Sequence, residues 1–195
     1  KNYRLYDEKL TLNTEQENVR LRSFAAQLYY SDSSYIAAPV LSAMGKNNKV
    51  DFTLQLADTS IYPNRGFFKG DIAFLSPSQF NLKFADANIT INNQPWSLSK
   101  ENAIAFDSSA IIARNVTFSS DSQSVSIDGI VSKRAEDKMS FGFVNFSLQN
   151  FNHLLQPDDI TIGGIMNGIA SVNNALLKPQ LLSDLSINGF TFNGD

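Results

Sequence analysis

The chain has 195 residues and a net charge of −3, a length that fits one domain or a segment of a longer repetitive protein. Its 16 basic residues form no run or stripe, which argues against nucleic acid as a partner, and the absence of cysteine excludes disulfides, thiolate catalysis and Cys-ligated zinc while leaving the compartment open. A hydrophobic content of 43%, with 15 Phe against 1 Trp and 6 Tyr, supports a substantial core, and a Phe-rich chain with Asn, Ser and Asp turn residues reads as all-β.

Residues 1–48 are the least regular. Thr14-Glu-Gln-Glu17 matches a capping box, and Leu21, Phe24, Ala25 and Leu28 fall on one helical face. These features predict a short helix, although Val19-Arg-Leu21-Arg alternates as a strand would. Pro39 to Met44, closed by Gly45, predicts a further turn or two of helix, with proline near the start and glycine after the end.

From Lys49 the period becomes two. Val50, Phe52, Leu54 and Leu56 alternate with polar residues, and Phe68 to Phe74 follows. Phe80, Leu82 and Phe84 share a face, and Ile89 and Ile91 lead to Trp96 and Leu98. Ile104, Phe106, Ile111, Val116, Phe118, Val125 and Ile127 continue the pattern. Met139, Phe141 and Phe143 have one parity and Phe146 and Leu148 the other, so a β-bulge is expected near Val144. Ile160-Thr-Ile162 and Leu185-Ser-Ile187 close a series of roughly a dozen strands. No Pro/Gly/Ser linker divides the chain, so 1–195 reads as a single β domain, with a 1–48 lead-in and repeated strand–turn units over 49–195.

A cassette recurs along these strands: an apolar residue, a polar residue, glycine, then another apolar residue. It centres on Gly70, Gly129, Gly168 and Gly189, with gaps of 59, 39 and 21. A unit near 20 residues suits two strands and a turn, with Asp-Gly and Asn-Gly supplying the positive φ of a hairpin. One-sided alternation implies antiparallel strands with one wet face. An open sheet of a dozen strands must curl, split or close. The expected fold is therefore an elongated, curled sheet or U-shaped β trough with one or two short N-terminal helices. The chain starts at Lys1 and ends at Phe192-Asn-Gly-Asp195, inside another strand–turn pattern, so it reads as a fragment.

Little of the sequence suggests catalysis. His153 is the single histidine and no Gly-x-Ser-x-Gly elbow accompanies it, so it reads as a loop residue. A hydrolase using His153 is the weakest of the functional readings. Asp158-Asp159, Asp107, Asp121, Asp128 and Asp137 occupy turn-like contexts, and no spacing matches a calcium loop. Gly163-Gly164 reads as a bulge or close strand packing. Asn88, Asn115 and Asn145 match glycosylation acceptors, as chance allows in an Asn- and Ser-rich chain. The alternating face of Phe, Ile and Leu has two uses: a sealed sandwich core, or a groove open to acyl chains. Each acyl CH₂ taken from water is worth about 0.8 kcal/mol, on the order of 10 kcal/mol per chain before costs.

Ala87 to Trp96, Ile104-Ala-Phe106, Val125 to Gly129, Ile160 to Gly168, Pro179 and Leu185 to Gly189 resemble the TamB family, the AsmA-like translocation and assembly proteins of outer-membraned bacteria. The resemblance covers roughly residues 50–195. It implies a segment of a bridge-like lipid transfer protein: a U-shaped β trough with an apolar inside, periplasmic, its parent anchored in the inner membrane and reaching an Omp85-type outer-membrane barrel. It implies no cofactor and no catalytic residue. The lipid-binding face it implies is Phe80, Leu82, Phe84, Ile89, Ile91, Val125, Ile127, Phe141, Phe143, Ile160, Ile162, Leu185 and Ile187. The expected function is non-enzymatic: conduction of phospholipid acyl chains or support of outer-membrane protein assembly. The alternative is a structural or adhesive β module with a closed core that binds a protein partner through a sheet edge.

Overall fold

The structure is a computed structural model that describes residues 3–29, 35–57, 64–152 and 161–193. Its strands are antiparallel, and among the described residues the helical content is one 3₁₀ turn, Leu148–Phe151. The all-β expectation therefore holds. The chain divides into two compact units, Lys1–Trp96 and Ser97–Asp195.

The first unit contains β1 (Arg4–Tyr6), β2 (Lys9–Glu15), β3 (Asn18–Phe24), β4 (Gln27–Tyr29), β5 (Tyr35–Ala37), β6 (Val40–Lys46), β7 (Lys49–Leu56), β8 (Arg65–Ser76) and β9 (Gln79–Ile91). β1, β4 and β5 make a small three-stranded sheet. β2, β3, β6, β7, β8 and β9 pair in that order. Both predicted N-terminal helices are strands. Thr14 lies within β2, paired with Val19, and Gln16 has φ +54° in the turn that follows, a left-handed conformation no helical N-terminus uses. β3 has a neighbour on each side, β2 and β6, along all seven residues. A capping box satisfies two amides; two ladders satisfy the whole segment, and the period-two pattern of Val19, Leu21 and Ser23 matches them. Pro39 lies outside the next strand, its carbonyl accepting the Ala25 N–H at 3.1 Å, and Val40 to Gly45 belong to β6.

β10 (Gln94–Leu98) carries the boundary between the units. The second unit continues with β11 (Ala103–Phe106), β12 (Ala110–Ser120), β13 (Gln123–Ser132), β14 (Lys138–Ser147), the 3₁₀ turn, β15 (Thr161–Asn173) and β16 (Gln180–Asn193). β12 to β16 pair in sequence order, and both β10 and β11 pair with β12. The core of this unit is Ala113, Val116 and Met139, with Leu98, Ile104, Phe118, Ile127, Val131 and Phe141 packed against it.

The register shifts between Phe143 and Phe146, so the bulge expected near Val144 is there. A matching shift lies between Ala113 and Val116. At each, an asparagine takes positive φ: Asn115 at +54° and Asn145 at +47°. The freed amides are caught by the facing strand. Asn115 N–H donates to Asp128 Oδ2 at 3.1 Å, and Asn145 N–H donates to Asn167 Oδ1 at 2.7 Å.

This geometry corrects the reading of the glycine cassette. Gly70, Gly129, Gly168 and Gly189 lie inside β8, β13, β15 and β16, not at hairpin tips. In Ile127-Asp-Gly129 and Met166-Asn-Gly168 the polar residue captures the bulge amide of the preceding strand. The glycine accepts close approach from the following one: a Cβ on Gly129 would meet the Lys138 carbonyl, and one on Gly168 the Asp184 carbonyl. Positive φ at turns between strands falls instead on Gln16, Asn47, Asn92-Asn93, Asp121 and Asn174, mostly the asparagine and aspartate that tolerate it.

Candidate functional site

In the first unit, strand register decides which side chains share a face. Leu12, Leu21, Ala43, Phe52, Gly70 and Phe84 form one row, and Thr14, Val19, Gly45, Val50, Ile72 and Leu82 the next. Phe80 faces Phe74, with ring centroids 5.8 Å apart. Ile89 faces Gly66 beside the Phe68–Ala87 pair, and Ile91 follows it along β9. Ile89 and Ile91 have the opposite parity from Phe80, Leu82 and Phe84. The register shift at Lys69/Gly70 leaves Ala85 as an extra residue and returns all five to one face. Phe84 joins them to a ring cluster with Phe52 and Phe68, at 6.0 and 5.8 Å.

In the second unit, Val116, Ile127, Phe141, Ala170 and Ser183 form one row, and Phe118, Val125, Phe143, Gly168 and Leu185 the next. Phe146, Met166 and Ile187 extend the face past the β14 bulge, and Ile162 pairs with Phe192. Within each unit the expected residues therefore share one face. Ile160 lies outside the described residues, as do His153, Asp158 and Asp159.

Of the twelve expected residues that are described, none is buried. Ten are half-buried, and Leu185 and Ile187 are exposed, at 39% and 43%. The large buried apolar residues are Trp96, Val116, Met139, Phe146, Leu148 and Met166. Sequence reasoning left Phe52, Phe68, Met139, Phe146, Met166 and Phe192 out of the face. Phe52, Phe68 and Met139 alternate with the others and were open to being found. Phe146 follows the change of parity at the β14 bulge, and Met166 has the same parity on β15 as Ile162.

The opposite face of the first unit is polar. Thr11, Arg22, Ser42, Thr53, Lys69 and Asp86 form one row, and Asn13, Arg20, Met44, Asp51, Asp71 and Lys83 another. A concavity of about 790 Å³ is lined chiefly by these residues. Its acids are engaged: Lys49 Nζ lies 3.1 Å from Asp51 and 3.8 Å from Asp71. The hydrogen bond to Asp51, and then the charge of Asp71, hold the Lys49 ammonium above its ordinary pKa. Leu21, Ala43, Met44, Phe52, Gly70 and Ala85 also line it, so the concavity presents apolar as well as polar groups.

The remaining turn acids organise backbone. Asp107 Oδ1 accepts the Ser109 hydroxyl at 2.6 Å, the Ser109 amide at 2.6 Å and the Ala110 amide at 2.8 Å. The Ser109 bonds lead in holding its carboxyl below the ordinary value. Asp137 accepts the Ser132 hydroxyl at 2.6 Å and Arg134 at 3.1 Å. Among the described residues no group of three His, Asp or Glu could hold a metal ion, and no helix is long and apolar enough to cross a membrane. No protein-family model, curated protein or solved structure matches the chain.

Proposed function

We propose that the chain is a non-enzymatic segment of a TamB-like periplasmic protein whose apolar sheet face carries phospholipid acyl chains or supports outer-membrane protein assembly. On this reading the parent is anchored in the inner membrane and works with an Omp85-type barrel. One observation carries it: Phe, Ile and Leu side chains line one face of each unit and stay half-exposed. Alternation of this strength normally ends in a sealed core. A face left accessible retains the transfer free energy of its surface for a ligand, and without charges or nucleophiles along it, that ligand is hydrocarbon.

Native mass spectrometry of gently purified protein, with organic extraction, tests this. Phospholipid at reproducible stoichiometry is the expected result. Phe84→Asp in the first unit and Ile187→Asp in the second should each reduce bound lipid by about tenfold, with circular dichroism showing that the sheet persists. Full lipid retention in both folded variants would remove this face as the binding surface.

The rival reading, a structural or adhesive β module with a closed core, draws on one observation of its own. The cluster around Ala113, Val116 and Met139 already closes part of the second unit. A clean, ligand-free mass would favour it.

A further inference from the structure

We propose that the concavity on the polar face of the first unit binds a phosphate group, held by Arg20, Arg22 and Lys69 over the hydroxyls of Ser42 and Thr53. Four cations line it, Arg20, Arg22, Lys49 and Lys69, with two acids, Asp51 and Asp71. Both acids are drawn to Lys49, at 3.1 and 3.8 Å. The side chains of Arg20, Arg22 and Lys69 have no ion pair or hydrogen bond among the described residues. The lining therefore carries two positive charges in excess, on side chains that are uncommitted. Opposite charges across a strand pair would be stabilising, yet Arg22 faces Thr11 and Ser42, and Arg20 faces Asn13 and Met44. Glu15 and Asp86, at the margins of the concavity by register, form no ion pair and lie outside the lining.

Register places the donors. Arg22, Ser42, Thr53 and Lys69 form one row across β3, β6, β7 and β8. Three strand spacings, about 14 Å, separate Arg22 from Lys69, and the two short hydroxyl side chains lie between them. Two long cations can lean inward over that floor and meet an anion from either side. Arg20 lies two residues from Arg22 on the same face, about 6.7 Å along β3, and brings a second guanidinium to the same anion. A phosphate suits this set better than a carboxylate. Its charge near −2 at neutral pH matches the excess, its oxygens accept from several directions, and guanidinium forks pair with it bidentately. A single carboxylate would leave one cation unmatched. Leu21, Met44 and Phe52 add apolar groups to the lining, which suits the carbon skeleton of a phosphate ester. This face is opposite the one assigned to acyl chains, so the proposal does not rest on that assignment.

Amide NMR titration of the chain with inorganic phosphate and with glycerol 3-phosphate tests this, with acetate as the monoanionic comparison. Saturable shifts centred on Arg22, Ser42, Thr53 and Lys69 are expected, with acetate bound at least about tenfold more weakly. Arg22→Gln and Lys69→Gln should each weaken phosphate binding by about tenfold or more, the loss of a charge-assisted hydrogen bond. Both residues are exposed, so both variants should fold. Arg114→Gln, at an exposed position of β12 in the second unit, should bind as the unmodified chain does. Co-sedimentation with phosphatidylcholine vesicles, with and without phosphatidic acid, identifies the source of the group. A gain from phosphatidic acid that Arg22→Gln abolishes would show that the site takes a lipid phosphate. No such gain, with the soluble probes bound, would confine it to soluble phosphates. Absence of saturable binding in both assays would overturn the proposal. Acetate bound as tightly as phosphate would do the same, as would an equal loss in Arg114→Gln.

Discussion

The two units use the same alternation and end with different interiors. Among the described residues, the buried apolar ones of the first unit are Ala25, Ala57, Ala87 and Trp96, and its large ring cluster, Phe52, Phe68 and Phe84, is only half-buried. The second unit buries Val116, Met139, Phe146, Leu148 and Met166. β10 and β11 bring Leu98 and Ile104 against Ala113, Val116 and Met139. The 3₁₀ turn brings Phe151 to 5.1 Å from Phe146. Period-two patterning makes an apolar face; what lies over that face decides how much of it is core. The same difference separates a surface able to take a ligand from one spent on stability.

Truncation at matched positions is the strongest way to break this comparison. Phe146→Ala should cost about 3–5 kcal/mol, the range for a buried aromatic. Phe84→Ala, half-exposed in the first unit, should cost about 1–2 kcal/mol, since less area leaves water. Urea denaturation of both variants checks the ordering. Equal costs would mean that the two faces are equally covered.

Glycine substitutions sharpen the comparison at the level of the backbone. Gly129→Ala forces a Cβ onto the Lys138 carbonyl at φ +127°, and should cost at least about 2 kcal/mol. Gly189 has φ +64° but nothing within 4 Å of a Cβ. Gly189→Ala should therefore cost only the left-handed penalty, about 1 kcal/mol. Thermal melts that rank Gly189→Ala as the worse variant would contradict the account of the cassette given above.

The smallest expected effect is a titration. Asp107 has its folded pKa lowered by the Ser109 bonds, so the stability it contributes is present above the ordinary carboxylate pKa and is lost as pH falls through the folded value. Ser109→Ala should move the Asp107 pKa upward in an NMR titration, with little change in stability at neutral pH because the carboxyl is at the surface. An unmoved pKa would show that the two amides alone set it.

Much of the fold was legible because side-chain direction in a strand follows parity. Val50 to Leu56, Phe80 to Phe84 and Val125 to Ile127 occupy strands with their apolar residues on one face. The change of parity between Phe143 and Phe146 announced a bulge that the register contains. The N-terminal segment misled because a capping box is a local signal, and β3 is held by two neighbours that local sequence does not reveal. The glycines misled because Asp-Gly and Asn-Gly serve a hairpin tip and a bulge equally well. Only the facing strand, with Asn115 or Asn145 offering an amide, distinguishes the two.

Alternation, the Phe, Ile and Leu content and the turn residues determined by themselves that this chain makes antiparallel sheet with one apolar face, because backbone sterics and the two-residue repeat act locally. The tertiary structure decided which strands sit side by side, where Ala85, Asn115 and Asn145 are extruded so that residues of opposite parity share a face, and which part of that face is covered. Those outcomes depend on register between segments distant in sequence, and register is an energy of pairs, which no single segment carries.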